Sequence, residues 1–249
     1  MCMLPAPSLI SSSLLLSHDT ITCVSPLYEY DLRYILQRRV LLTEEEVLYL
    51  SYDILLLLED FQKKNICLRS LSPEHLLLDY NGYILLTGMG YASLNAMDTS
   101  GCKGTTGSYY YMAPEVLFSD QTFEEYGYLA DMYSLGVLIY ECLYGCLPFG
   151  TKIDQEYLTR MMNVPCLSPP QSLGRHLLPF SSQAQLEMSR RPSSYSSLAA
   201  PHPLVLLQST PSKRPSAAQL LNYPWYSWID QNDILLRKGK QLLSLVTLS

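Results

Sequence analysis

The chain has 249 residues and a formal charge of −6, with 48% apolar and only 16% charged residues. That is enough apolar material for a packed core, and it excludes a wholly disordered or collagen-like polypeptide. No strongly basic domain exists, so nucleic acid is not an expected partner.

From the N-terminus, residues 1–17 are uncharged and rich in Leu and Ser, without the basic start of a signal peptide. Thr20–Val24 reads as a strand, and Leu27-Tyr28-Glu29-Tyr30 as an extended linker. Asp31–Arg39 reads as a short helix. Thr43 with Glu46 three residues on forms a capping box opening a long helix, with Glu44 to Glu46 at its positive end and Lys63 and Lys64 at its negative end. Its apolar residues Val47, Leu50, Ile54, Leu55, Leu57, Leu58 and Phe61 cover more than one face, which predicts burial on most sides. The densest apolar run, Ile54–Leu58, is far too short to span a membrane.

Short strands follow at Ile66–Leu68, Leu76–Leu78 and Tyr83–Thr87, the last two joined by Asn81-Gly82, a strong hairpin signal. Residues 88–111 read as irregular. Asp131–Tyr144 reads as a buried helix, Ile153–Met162 and Ser216–Asn222 as further helices. Residues 168–201 are dense in serine and proline and read as a surface insertion. Seven scattered cysteines without a Cys-x-x-Cys pair predict reduced thiols and a cytoplasmic or otherwise intracellular location; Cys142 and Cys146, four apart, suit one helix face. In this chain no glycine precedes Gly82 and no lysine precedes Lys63, so its first quarter holds neither a glycine-rich phosphate loop nor a lysine to meet a phosphate.

Cys67-Leu68-Arg69-Ser70-Leu71-Ser72-Pro73-Glu74-His75-Leu76-Leu77-Leu78-Asp79 resembles the catalytic loop of the protein kinases, I-x-H-R-D-L-K-P-E-N-x-L-L. Gly88-Met89-Gly90 stands where that family has D-F-G. Gly107-Ser108-Tyr109-Tyr110-Tyr111-Met112-Ala113-Pro114-Glu115 is similar to G-T-x-x-Y-x-A-P-E, and Asp131-Met132-Tyr133-Ser134-Leu135-Gly136 to D-x-W-S-L-G. Leu147-Pro148-Phe149, then Pro211-Ser212-Lys213-Arg214-Pro215, then Tyr223-Pro224-Trp225 complete the order. The resemblance covers residues 20–228.

The resemblance implies an α+β, mainly α fold: a kinase-like C-lobe, a helical bundle with a short β hairpin, with the N-lobe largely absent. Residues 1–26 would be a remnant of N-lobe strands, 27–167 the hinge and core of the lobe, 168–201 the insertion, 202–230 the end of the lobe and 231–249 a tail. It implies structural roles for Arg69, Met89, Glu115, Asp131 and Arg214, with Glu115 pairing with Arg214 and Asp131 receiving backbone N–H groups of the catalytic loop. Leu68 and Met89 would keep an internal apolar stack. The polar chemistry departs from the pattern: Ser70 replaces the base, Ser72 the loop lysine, His75 and Gly88 the two magnesium-holding residues. A serine hydroxyl is a very weak base at neutral pH, and magnesium wants hard oxygen ligands. No catalytic set is intact, and no metal site is expected.

The implied function is therefore a catalytically inactive, kinase-like scaffold or allosteric regulator in signalling, of Ser/Thr rather than Tyr ancestry, that binds protein partners and needs no cofactor. The alternative is a divergent active kinase using ATP and magnesium, with its N-lobe lying outside this chain or supplied by a partner; Tyr28, Glu29, Tyr30 and Leu77 would then line the nucleotide. A third possibility is a piece of a longer kinase-like protein. Thr105, Thr106 and Ser193 are candidate phosphorylation positions, the first two within reach of Arg69.

Overall fold

The structure is a computed structural model that describes residues 13–24, 26–39, 41–79, 83–163 and 205–229. The expected insertion at 168–201, with Ser193, the tail at 231–249 and the hairpin turn residues Tyr80, Asn81 and Gly82 lie outside the described residues.

Two short strands, β1 (Ser13–Leu16) and β2 (Ile21–Val24), pair antiparallel with Leu16 opposite Ile21. The stretch read as a linker ends instead in a strand. Tyr30–Asp31 (β3) pairs with Leu76–Leu78 (β5), which pairs in turn with Ile84–Leu86 (β6), giving a three-stranded antiparallel sheet. Leu76 faces Leu86 and Leu78 faces Ile84, the register expected of a hairpin. Ile66–Cys67 (β4) pairs with Ser93–Leu94 (β7), inside the stretch read as irregular.

Helix α1 (Leu32–Arg39) begins one residue later than the sequence suggests, because Asp31 is its cap: the Asp31 carboxylate accepts the Tyr34 N–H at 2.7 Å. Helix α2 (Glu44–Lys63) opens with the capping box, Thr43 Oγ1 accepting from Glu46 N at 3.2 Å and Glu46 accepting from Thr43 N at 2.8 Å. Glu46 also binds the Arg39 guanidinium, which ties the end of α1 to the start of α2. Lys63 and Lys64 pair with Glu59 and Asp60 one turn back.

Two four-residue helices, α3 (Pro114–Leu117) and α4 (Ser119–Thr122), precede α5 (Leu129–Tyr144), every residue of which but the last is buried. Gly145, at φ 68°, ends α5 in the left-handed conformation that glycine adopts without strain. Cys146 thus falls beyond the helix and is exposed while Cys142 is buried, so the two do not share a helix face. Helix α6 (Gln155–Met162) starts two residues later than read, with Asp154 capping Tyr157 N at 3.0 Å. Helix α7 (Ala217–Leu221) carries a second capping box, Ser216 with Gln219.

The core gathers around α2, which packs against α5, α7 and β4. Leu55, Leu58, Met132, Leu135 and Val137 are buried between these elements, and each such side chain stabilises by about 1.5–3 kcal/mol. This packed block is the platform on which the loop after β4 is held.

Candidate functional site

The loop from Leu68 to His75 joins β4 to β5 and passes over the start of α5. Arg69 sits at φ 63°, a conformation that costs a non-glycine residue about 1–2 kcal/mol. Asp131, in the first turn of α5, holds that turn: its carboxylate accepts the backbone N–H of Leu68 at 2.7 Å and of Arg69 at 2.8 Å. Complete burial pushes the Asp131 carboxyl up to about 6, against the opposing effect of those two N–H groups and the Cys67 thiol. Leu68 is fully buried and Met89 packs partly buried against the same core.

The Arg69 side chain binds main chain. Its Nε donates to Tyr91 O at 2.6 Å and one terminal nitrogen to Lys103 O at 3.3 Å. Thr105 Oγ1 points elsewhere, donating to Val116 O at 3.2 Å, and its N–H is held by Asp120. The structure therefore joins Arg69 to the backbone of Tyr91 and Lys103, both before Thr105, and to the Tyr126 hydroxyl at 3.4 Å, and not to the Thr105 hydroxyl.

Ser70, Ser72, His75 and Gly88 come together. Ser70 Oγ donates to Gly88 O at 2.9 Å. His75 Nδ1 lies 2.7 Å from Ser70 O and 3.0 Å from Ser72 Oγ. A carbonyl only accepts, so Nδ1 carries the proton and, in the neutral ring, Nε2 does not. Ser108 Oγ reaches Ser72 Oγ at 3.1 Å and Glu74 at 3.3 Å, extending the network to the next segment. Gly88 is at φ 77°, and a Cβ placed on it would lie 2.4 Å from His75 Cδ2. The imidazole thus fills the volume that any side chain at residue 88 requires. Asp79 binds Tyr83 N at 2.9 Å across the β5–β6 connection, a turn role. Of the linker residues, Tyr30 donates to Glu29 at 2.6 Å and pairs with Leu78 in the sheet, while Tyr28 is half-buried.

Arg214 and Glu115 form a two-pronged pair, with Arg214 NH2 donating to Glu115 Oε2 at 2.8 Å and NH1 to Oε1. The remaining Arg214 donors go to Gln208 O, Leu129 O and Ser209 O, so all five N–H groups of a fully buried side chain are satisfied. The guanidinium also lies 4.9 Å from the Tyr133 ring centre.

One cluster was not read from the sequence. Arg33 NH1 donates to Glu141 at 2.6 Å and its NH2 reaches the Tyr111 hydroxyl, which itself donates to Glu141; Glu74 lies 3.7 Å from the same guanidinium. Burial and the Glu141 charge push the Tyr111 hydroxyl well above its ordinary range. Arg33 and Glu141 are 108 residues apart, and no local pattern links them.

The model of the protein kinase domain matches residues 11–226. Ribosomal protein S6 kinase 2 alpha of Gallus gallus is 32% identical over 205 residues, 82% of this chain and 24% of that protein. Serine/threonine-protein kinase RUNKEL of Arabidopsis thaliana is 38% identical over 120 residues, 48% of this chain and 9% of that protein. Human serine/threonine-protein kinase Sgk1 is 33% identical over 150 residues, 59% of this chain and 34% of that protein. The chain spans 9–34% of these relatives' length, and it belongs to the protein kinase family. The match begins at residue 11, inside the segment expected to be an upper-lobe remnant.

Magnesium, which this family implies, does not fit the residues present. Of the two positions that would hold it, His75 offers a ring nitrogen in place of an oxygen, and Gly88 offers no side chain. Among the described residues no group of three or more His, Cys, Asp or Glu is placed to hold a metal ion. No described helix is long and apolar enough to cross a membrane.

Proposed function

We propose that this chain is a kinase-fold protein that does not transfer phosphate and acts inside the cell by binding a protein partner, as a scaffold or allosteric regulator. The observation that carries the reading is the His75 ring against Gly88. The two positions that would each hold a metal are one ring and one bare backbone, packed into each other. Phosphoryl transfer is positioning plus charge neutralisation, and here the positions of the base and of the two metal holders carry Ser70, His75 and Gly88. Meanwhile the groups that shape the lobe, Asp131 on the loop and Glu115 on Arg214, keep their hydrogen bonds, which supports a surface maintained for recognition. No nucleotide or metal is then required.

A second reading, favoured by the names of its relatives as serine/threonine kinases, is an active divergent kinase with ATP and magnesium. Purified protein free of contaminating kinases, given labelled ATP and magnesium with a generic protein substrate, separates the two. The first reading expects no label above a heat-killed control. Label that persists on repurification and disappears on heating supports the second.

A further inference from the structure

Among the described residues, the non-glycine residues at positive φ are Asn65, Arg69, Asn95 and Phe123. Asparagine tolerates that region, and the Asp131 carboxylate holds Arg69 there. Phe123, at φ 57° and ψ 15° just after α4, has neither reason, and a bulky side chain is an outlier in this conformation. Its ring is also 82% exposed.

The turn that carries the ring is nonetheless held at several points. Phe123 N donates to Ser119 O at 2.9 Å. The Ser119 hydroxyl donates to Glu124 O at 3.2 Å, and Glu124 N donates to Thr122 Oγ1 at 3.3 Å. Ser119 is buried and also accepts from Gly104 N at 3.0 Å, while Asp120 accepts from Thr105 N at 3.1 Å. On the far side, buried Tyr126 pairs through its backbone with Cys102. Residues 120–125 are therefore an exposed run fixed at both ends, with the aromatic ring at its strained point. An exposed apolar ring and a left-handed backbone both work against stability, and strain of this kind, kept in place by its surroundings, clusters at functional sites.

We propose that Phe123 is a preset anchor that inserts into an apolar pocket of a partner protein whose basic residues rim that pocket.

The proposal deepens the binding reading above and rests on its claim that the chain binds a protein. One aromatic side chain seated in a desolvated pocket carries a large share of an interface's binding energy, and a turn already fixed in shape loses little freedom on docking. The rim follows from charge. Asp120, Glu124 and Glu125 share the exposed run with Phe123, and the Lys103 ammonium pairs with Glu125 at 3.2 Å, so three carboxylates stand against one cation. The Glu124 carboxylate has no partner among the described residues and is available to a cation from outside. The same carboxylates are repelled by an anionic lipid surface, and a second copy of a chain of charge −6 is a poor match.

The test places the photo-cross-linker p-benzoylphenylalanine at position 123 of the full chain, expressed in its own cells, with the same group at Leu27, which is 98% exposed in another segment, as control. Illumination should give a discrete cross-linked protein from position 123 and not from position 27, identified by mass spectrometry and then purified. Its affinity for the native chain should fall as salt is added. Phe123→Gly should weaken binding at least about tenfold. That variant should melt no lower than the native chain, because relief of the left-handed strain offsets the extra freedom glycine gives the unfolded chain. Glu124→Lys should weaken the complex as well. The proposal is overturned by cross-linking to lipid, to a second copy of this chain, or equally from both positions. It is also overturned by a loss smaller than about tenfold in Phe123→Gly, by a fall in that variant's Tm of several degrees, or by an unchanged or tighter complex in Glu124→Lys. A partner that binds Phe123→Gly as well as the native chain removes this surface and leaves the binding reading standing. Phosphate transfer by the chain removes the inactive reading and leaves the cross-link unaffected.

Discussion

Replacing Glu115 by alanine strips the carboxylate from an arginine that has nowhere else to go. Arg214 has no exposed side-chain surface and spends two of its five donors on Glu115. The variant leaves a charged guanidinium buried with three carbonyls, two N–H groups short. Breaking such a pair from one side costs about 3–5 kcal/mol, whereas an exposed pair costs less than about 1 kcal/mol. At about 2–4 °C per kcal/mol for a chain of this size, Tm should fall by about 6–20 °C. Thermal unfolding followed by circular dichroism, with urea unfolding as a second measure, gives the answer. A double-mutant cycle with Arg214→Leu should show strong coupling, with the double variant losing less than the sum of the singles. A loss below about 1 kcal/mol in Glu115→Ala, with additive behaviour in the cycle, would refute the claim that this pair anchors the segment.

The Asp131 carboxyl is raised to about 6 from an ordinary 3.8, so the folded state binds its proton more tightly than the unfolded chain. Its contribution of about 3 kcal/mol is therefore full below about pH 4 and lost as pH rises through 6. The urea stability of the native chain relative to Asp131→Asn should grow by that amount between pH 7 and pH 4; a flat or opposite difference contradicts the assignment. Gly88→Asp meets both a left-handed backbone and the His75 ring, and should destabilise by about 2–4 kcal/mol. Adding His75→Ala should return the steric part of that loss, and identical losses with and without the ring would show that it does not fill this volume. Thr43→Ala removes one half of the α2 capping box and should lower the urea midpoint by about 1 kcal/mol of stability, with an unchanged denaturant slope.

The elements most readable in the sequence are those specified locally. The Thr43 and Glu46 box, the all-round apolar α2 and the β5–β6 pair each depend on residues within a few positions of one another. Ends were less readable because Asp31 and Asp154 serve equally well as first helical residues or as caps, and only backbone dihedrals decide. Cys146 shows the same limit, since a spacing of four signals a shared face only if the helix continues, and Gly145 stops it. The loss of polar residues at Ser70, Ser72, His75 and Gly88 was legible from motif position. That the His75 ring turns back onto Gly88 was not, because it depends on how β5 and the segment after β6 approach in space. The Arg33, Tyr111 and Glu141 cluster joins distant segments, and composition gives no sign of it.

The central claim is that the site around His75 and Gly88 has no hold on a metal–nucleotide complex, and a melting curve with magnesium and ATP tests it most directly. A ligand at about 100 times its dissociation constant stabilises by about 2.7 kcal/mol, a rise of about 5–10 °C for a chain of this length. The account predicts no saturable rise with magnesium and ATP together beyond that given by magnesium alone. A saturable rise of that size, requiring both and lost when magnesium is chelated, would contradict it.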